Sequence, residues 1–221
     1  MTATDDTLHT TTPVQETIDF GGLTIAFDER ILRPRAWTVA QSSWAAELMV
    51  PAPSGPVLEL CSGAGHIGLA SVASNDRELV CVDLDVTAVE YCLANARAAG
   101  LSDRVEVRFG RLEHVLEDAE RFPVIIADPP WVPAADTGRF PEDPLVAIDG
   151  GDDGLDVARA CLEIVERHLA PGGSAVLQIG TVHQMDELAH WAHRRGRVRA
   201  TEHRSFGERG VLVRFNRTDG E

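Results

Sequence analysis

The sequence predicts an α/β fold: a mostly parallel sheet with helices on both faces. From Val57 onward, short apolar runs alternate with helical patterns. A glycine-rich turn joins the first of those runs to the first helix. The length of 221 residues leaves room for one full-sized domain and at most a small second one.

Each element has its own signal. Met1 to Thr17 is rich in Thr and Asp, with no basic start and no apolar stretch, so it reads as a disordered tail and not a signal peptide; the tail is taken to residue 19. Phe20 to Arg35 alternates apolar and polar residues around Asp28-Glu29, which predicts a short hairpin ended by Pro34. Ser42 or Ser43 is placed to cap a short helix carrying Trp44, Ala45 and Leu48. A Pro- and Gly-rich linker, 51–56, closes this leading segment of 20–56. The core domain is expected over 57–217. Its strands are Val57 to Leu60, Leu79 to Val82, Val105 to Phe109, Val124 to Ala127 and Ala175 to Ile179. Helices are expected from Ile67 to Ala73, from Asp85 to Gly100, over 154–169 and from Met185 to Arg194. Val198 to Phe206 and Val211 to Phe215 form a closing hairpin. There is no internal repeat.

Composition excludes several classes. The net charge of −15 argues against broad attraction to nucleic acid, which needs a basic face. All twenty basic residues are Arg, read as a compositional bias. No apolar run reaches the roughly 20 residues that span a bilayer. Four cysteines without a CxxC pair fit buried thiols in a reducing cytoplasm.

Two stretches carry chemistry. Glu59-Leu60-Cys61-Ser62-Gly63-Ala64-Gly65-His66-Ile67-Gly68 keeps GxGxxG spacing after a strand. Glycines there permit a tight turn and a close ligand. That pattern alone also fits dinucleotide folds. Glu59 ahead of it suits an amine-bearing ligand better than a pyrophosphate. Asp83, ending the second strand, is placed to accept from two ribose hydroxyls, with Leu84 against a purine face. Asp85 reads as a helix N-cap. The second stretch is Asp128-Pro129-Pro130-Trp131. Two prolines cannot continue a strand ladder. They leave a carboxylate and an indole at a strand's C-terminal end, the edge where open α/β sheets bind ligands.

With these motifs the chain resembles the class I S-adenosylmethionine-dependent methyltransferases, and among them the HemK/PrmC-like glutamine-N5 methyltransferases. The resemblance rests on LELCSGAGHIGLA at 58–70, VCVDLD at 80–85, DPPWV at 128–132 and AIDGGDDGLDVARACLEIVERHLAPGGSAVLQIG at 147–180. It covers roughly 20–215. It implies a Rossmann-like seven-stranded sheet with an antiparallel closing strand and S-adenosylmethionine as methyl donor; the N-terminal helical domain of bacterial members is expected to be absent, as in trimmed members of the wider family. By resemblance the donor is held by Glu59, Cys61, Ser62, Gly63, Ala64, Gly65, Asp83, Leu84, Leu112 and Asp128. The acceptor is met by Asp128, Pro129, Pro130 and Trp131. The family's Asn and Tyr are Asp128 and Trp131 here, and its acidic residue after the third strand is replaced by Gly110-Arg111.

Amide nitrogen is a poor nucleophile because its lone pair is delocalised. A site must hold the amide hydrogens with acceptors and turn the lone pair toward the methyl. The Asp128 carboxylate and the Pro129 carbonyl are the expected acceptors, with Trp131 as a packing wall. The same set suits an exocyclic base amine or a small-molecule amine. The expected partner is a protein acceptor; a nucleic acid, a small metabolite, or a non-catalytic cofactor-binding role in a complex are the alternatives. Glu187, His190 and His193 read as a solvated face, and Asp149, Asp152, Asp153 and Asp156 as a loop and helix cap, so no metal is expected. Trp131 to Gly154 reads as a long loop beside the site.

Overall fold

A computed structural model of the chain describes residues 13–218. Most of the expected tail, 1–12, lies outside the described residues. Its last part does not fit the expectation. Glu16–Phe20 is strand β1, and it pairs antiparallel with β2, Leu23–Phe27. The hairpin therefore turns at Gly21-Gly22, with φ of +60° and +86°, and not at Asp28-Glu29. Asp28 instead anchors the chain leaving β2. It accepts from the Tyr91 hydroxyl at 2.7 Å and pairs with Arg30 at 2.6 Å. Those bonds, Arg30 foremost, hold its carboxyl down at about 2.

A single 3₁₀ turn, Ala36–Thr38, leads into α1, Val39–Met49. The serine cap does not form. Ser42 is buried inside the helix, and Ser43 donates back to the Val39 carbonyl. Then follow β3 (Val57–Leu60), α2 (His66–Val72), β4 (Leu79–Asp83), α3 (Val86–Ala98), β5 (Val105–Phe109) and β6 (Phe122–Ala127). Asp85 caps α3, accepting from the Thr87 N–H at 2.8 Å. The long loop contains a 3₁₀ turn and a short helix α4, Leu145–Ile148. It folds back on itself, with Val132 N donating to Ile148 O at 3.0 Å. Arg35 and Asp143, 2.7 Å apart, tie it to the leading segment.

Helix α5 is Asp156–His168. Strand β7, Leu169–Ile179, starts before Pro171-Gly172-Gly173, not after it. Leu169 pairs with Phe122, and a register shift absorbs the proline before Ser174 pairs with Val124. Helix α6, Val182–Arg195, opens earlier than its apolar pattern indicates, because Thr181 and Gln184 form a capping box. Strands β8 (Val198–Ser205) and β9 (Val211–Arg217) form the closing hairpin.

The main sheet has seven strands in the order β5-β4-β3-β6-β7-β9-β8. All neighbours up to β7 are parallel, and β9 runs antiparallel to both its neighbours. Central strands are apolar along their length because both faces are covered. Helices α1 to α3 and the small hairpin pack on one face. Helices α5 and α6 pack on the other. The chain runs outward from β3 to β5, then returns to β6. The crevice at this switch lies outside the C-terminal ends of β3 and β6, which carry the two motifs.

One side chain joins the hairpin to the core. Buried Asn95 on α3 accepts from Ala26 N at 2.8 Å and donates to the carbonyls of Ala26 and Ala64, both at 2.9 Å. Replacing Asn95 with Ala strands these groups, so we expect a loss of about 2–4 kcal/mol of stability. Denaturant melts would measure it, and hydrogen exchange at the Ala26 amide should rise before global unfolding. Unchanged exchange there would disprove the anchoring role.

Candidate active site

The turn after β3 is built from below. Glu59 lies inside the sheet and is 2 % exposed. Its Oε1 accepts from Gly68 N at 2.9 Å, and the Cys81 thiol donates to Oε2 at 3.3 Å. A Cβ at Gly68 would stand 2.3 Å from Oε2, so this position must be glycine for α2 to seat on the carboxylate. Above it, Gly63 and Gly65 take φ of +52° and +77°, and Cys61, with φ of +56°, shares that left-handed geometry. Asp83 secures the loop from β4. Its Oδ2 accepts from Gly63 N at 2.7 Å and its Oδ1 from Asp85 N at 2.9 Å.

Two cavities open above this frame. One, of about 130 Å³, is lined by Cys61, Ser62, Gly63, Ile67, Asp83, Leu84, Leu112 and Val146, among others. The other, of about 450 Å³, is lined by Trp37, Thr38, Pro129, Trp131, Gln178 and Arg209, among others. Leu32, His66, Asp128, Pro130 and Ala147 line both. The Asp128-Pro130 turn thus stands at the junction of the two. Trp131 is held in place from behind. Its carbonyl accepts from Gln184 Nε2 at 2.9 Å, and a Cβ at Gly180 would lie 2.2 Å from its ring.

The expected donor-site residues divide. Cys61, Ser62, Gly63, Asp83, Leu84, Leu112 and Asp128 line the smaller cavity. Glu59, Ala64 and Gly65 do not. Glu59 is placed differently from the expectation of direct ligand contact: it acts from beneath the loop, through Gly68. Ala64 is fully buried and bonds to Asn95. Gly65 packs where a Cβ would meet the Cys92 sulfur at 2.5 Å. Arg111 is exposed beside Glu113 and lines neither cavity. His183, His190 and His193 are exposed, and no cluster of metal-ligating side chains occurs among the described residues.

The sequence reading missed Ile31, Leu32, Trp37, Thr38, His66 and Gln178. Only Gln178 left a readable signal, as a polar residue inside an apolar buried strand. The others arrive through the leading segment or the first turn of α2.

Electrostatics mark the site. Burial pushes Glu59 up to about 8 and Asp128 up to about 7, and it raises Asp83. Burial also lowers His66 to about 3, so the imidazole is neutral. Among the described residues none of these three carboxyls is ion-paired with an arginine. The hydroxyl oxygen of Ser62 and Nδ1 of His66 are buried without partners. A polar, cationic ligand with an apolar ring suits this lining: unneutralised acids, unsatisfied polar atoms, a glycine turn, and Leu84 and Leu112.

Residues 42–140 match the methyltransferase small domain family. The release factor glutamine methyltransferase of Clostridium acetobutylicum is 27% identical over 207 residues, covering 90% of this chain and 72% of that protein. The ribosomal protein uL3 glutamine methyltransferase of Bradyrhizobium diazoefficiens is 33% identical over 172 residues, covering 72% of this chain. The chain spans only 54% of that relative's length. The human METTL16 catalytic domain, solved with a MAT2A 3'UTR hairpin, superposes with a TM-score of 0.70 at 15% identity, over 88% of this chain and 75% of that one. The N-terminal domain of human METTL16, solved with SAH, gives 0.63 at 15% identity, again over 88% and 75%. Fold, loop and relatives define a class I S-adenosylmethionine-dependent methyltransferase. Within that class the chain is similar to the release factor and ribosomal protein uL3 glutamine methyltransferases.

The buried Glu59 carboxyl makes a stability prediction with a definite sign. In the unfolded chain it ionises near its ordinary 4.5, but in the fold only near 8. Below the lower value both states are protonated and nothing is lost. Between the two the unfolded state alone ionises, so stability falls as pH rises, and the loss is complete above about 8. Glu59→Gln keeps an oxygen for Gly68 and removes the ionisation. Its Tm should match wild type near pH 4.5 and exceed it near pH 8. Parallel Tm curves across that range would overturn this account of Glu59.

Proposed function

We propose that the chain transfers a methyl group from S-adenosylmethionine to a planar amide nitrogen, and that the acceptor is a protein glutamine side chain. The observation that carries this is the position of Asp128-Pro129-Pro130-Trp131, where the two cavities meet. The curated relatives are named as glutamine methyltransferases, which supports the acceptor.

Cys61, Ser62, Gly63, Asp83, Leu84 and Leu112 would hold the donor. When bound it supplies an electrophilic methyl on a sulfonium. Asp128 and the Pro129 carbonyl accept the amide hydrogens, which holds the group flat and leaves the nitrogen's lone-pair face free. Trp131 covers the plane of the amide. An ionised Asp128 is the stronger acceptor, favours positive charge developing on nitrogen, and can take the proton the nitrogen loses. Neutral His66 adds no positive charge beside a cationic donor. Among the described residues no helix is long and apolar enough to cross a membrane. The four cysteines are free thiols, which supports a reducing, cytoplasmic setting. The net charge of −15 favours a protein acceptor over a nucleic acid.

Labelled methyl from S-adenosylmethionine should enter a lysate fraction that protease destroys and nuclease leaves intact. Nuclease sensitivity would replace the glutamine reading with a base amine, and no transfer into any fraction would favour a cofactor-binding subunit. Asp128→Ala should lower turnover about 10²–10³-fold, as loss of one aligned charge-stabilising group does elsewhere. Wild-type turnover by that variant would remove the turn from the mechanism.

The ionisation of Asp128 adds a pH signature. The kcat/KM for the donor should rise with pH through about 7, because the carboxylate form is the productive one. In kcat, which reports the donor-bound protein, the cation pulls that midpoint down. Asp128→Asn, which keeps an acceptor oxygen, should flatten this limb; an unchanged limb would assign it to another group.

A further inference from the structure

From Asp128 to Pro130 the turn offers only hydrogen-bond acceptors to the cavity. Asp128 and the Pro129 carbonyl accept, and neither proline has an N–H to donate. A carboxamide presents two N–H donors and also a carbonyl oxygen. That oxygen needs a donor; the Asp128 side chain and the two prolines supply none, and the turn's one side-chain donor is the Trp131 indole N–H.

Gln178 stands beside the turn. Strands β6 and β7 run parallel with Ala127 opposite Leu177, so Asp128 and Gln178 are the next residues on neighbouring strands. Side chains alternate along a strand. Ile126 and Val176 face the α1 side, and Ala127 and Leu177 face the other. Asp128 and Gln178 therefore point together toward the α1 side, and both line the larger cavity. Gln178 is 3% exposed, and its Oε1 is buried without a partner. Most buried side-chain polar atoms are bonded, so an amide left free at a cavity wall is unusual. Gln41, whose Oε1 is likewise buried without a partner, differs from it at the nitrogen. Gln41 Nε2 is already committed to the Ala127 and Val176 carbonyls, at 2.9 and 3.2 Å. Of the other donors on the wall, Thr38 donates to the Arg35 carbonyl, His66 Nε2 faces the Thr38 hydroxyl, Arg35 pairs with Asp143 and Arg33 with Glu16, while the indole N–H groups of Trp37 and Trp131 lie on the wall without the strand pairing that sets Gln178 beside Asp128. Arg209 is exposed at the rim.

We propose that Gln178 is a specificity-determining residue: its amide N–H donates to the carbonyl oxygen of the acceptor carboxamide, while Asp128 holds the N–H side. The inference rests on the glutamine reading above. Two groups on adjacent strands then grip opposite ends of one planar amide. Both bonds lie in the amide plane, so the nitrogen's out-of-plane lone pair is left facing the donor cavity. A glutamate side chain, ionised and without N–H groups, would set its charge against Asp128 and is rejected.

The test uses the full chain saturated with S-adenosylhomocysteine. The probes are a capped alanyl-glutaminyl-alanine peptide labelled with ¹³C at the side-chain carbonyl, and the same peptide with glutamate. Wild type should prefer the glutamine peptide, and the labelled carbonyl should move downfield on binding, as a carbonyl does when it accepts a hydrogen bond. Gln178→Met, similar in volume but without the donor, should lose that shift and weaken peptide binding about tenfold. Its affinity for S-adenosylhomocysteine should stay within about twofold, since Gln178 does not line the smaller cavity. Should the methionine variant fail to hold S-adenosylhomocysteine, Gln178→Leu provides the same loss of donor with an apolar side chain. A preference and a carbonyl shift that survive the substitution overturn the role of Gln178 and leave the glutamine reading standing. A wild-type protein without preference for glutamine over glutamate overturns both.

Discussion

The carboxyl of Glu59 sets the geometry on which the rest of the site depends. It is buried at the centre of the sheet, and its oxygen receives the Gly68 N–H at 2.9 Å. That single bond draws the first turn of α2 down onto β3. Gly68 leaves the space for it. The turn from Cys61 to Gly65 must then climb over the strand end in left-handed conformations. Asp83 meets it from the next strand and holds Gly63. The GxGxxG spacing is commonly tied to phosphate binding. Here its last glycine serves an internal carboxylate, which removes the need for a pyrophosphate to explain it.

The larger cavity rests on a different constraint. Its wall is assembled from segments far apart in the chain: the leading segment, the β6 turn, β7 and the long loop. Gly180 makes room for the Trp131 ring, and Gln184 ties the Trp131 carbonyl to the start of α6. Gln184 does this while also closing the capping box with Thr181. The same residue thus starts a helix and orients a wall of the cavity. A change there would be felt in both places, since residues sharing one hydrogen-bond network do not act independently.

The parts legible in the sequence were those governed by local periodicity. Parallel strands read as apolar runs, α3 and α5 as helical stripes, and Asp85 as a cap. What escaped depended on partners remote in sequence. The segment from Phe20 to Arg35 alternates well enough to suggest a hairpin, but its turn is set by Gly21-Gly22, whose positive φ angles no alternation reveals. Pro171-Gly172-Gly173 looks like a break, yet a register shift against Phe122 lets β7 begin at Leu169. Ser42 has the chemistry of a cap and is buried inside α1. Glu59 reads in the sequence as a cofactor contact; in the structure it lines neither cavity and receives the Gly68 N–H, a partner nine residues on that strand periodicity does not reveal.

Charge links the two halves. Glu59, Asp83 and Asp128 come together at the C-terminal edge of the sheet, each raised by burial, with no arginine to neutralise them among the described residues. Such an arrangement is costly in an empty protein, because charges removed from water need compensation. For Asp83 and Asp128, which line the cavities, an entering cation offsets that cost by stabilising their ionised forms; Glu59 lines neither cavity. The donor carries that charge as a sulfonium and surrenders it on methyl transfer. The spent cofactor is therefore held by fewer electrostatic interactions than the fresh one. On this charge argument Asp83 and Asp128 would hold the cationic donor more firmly than the neutral product.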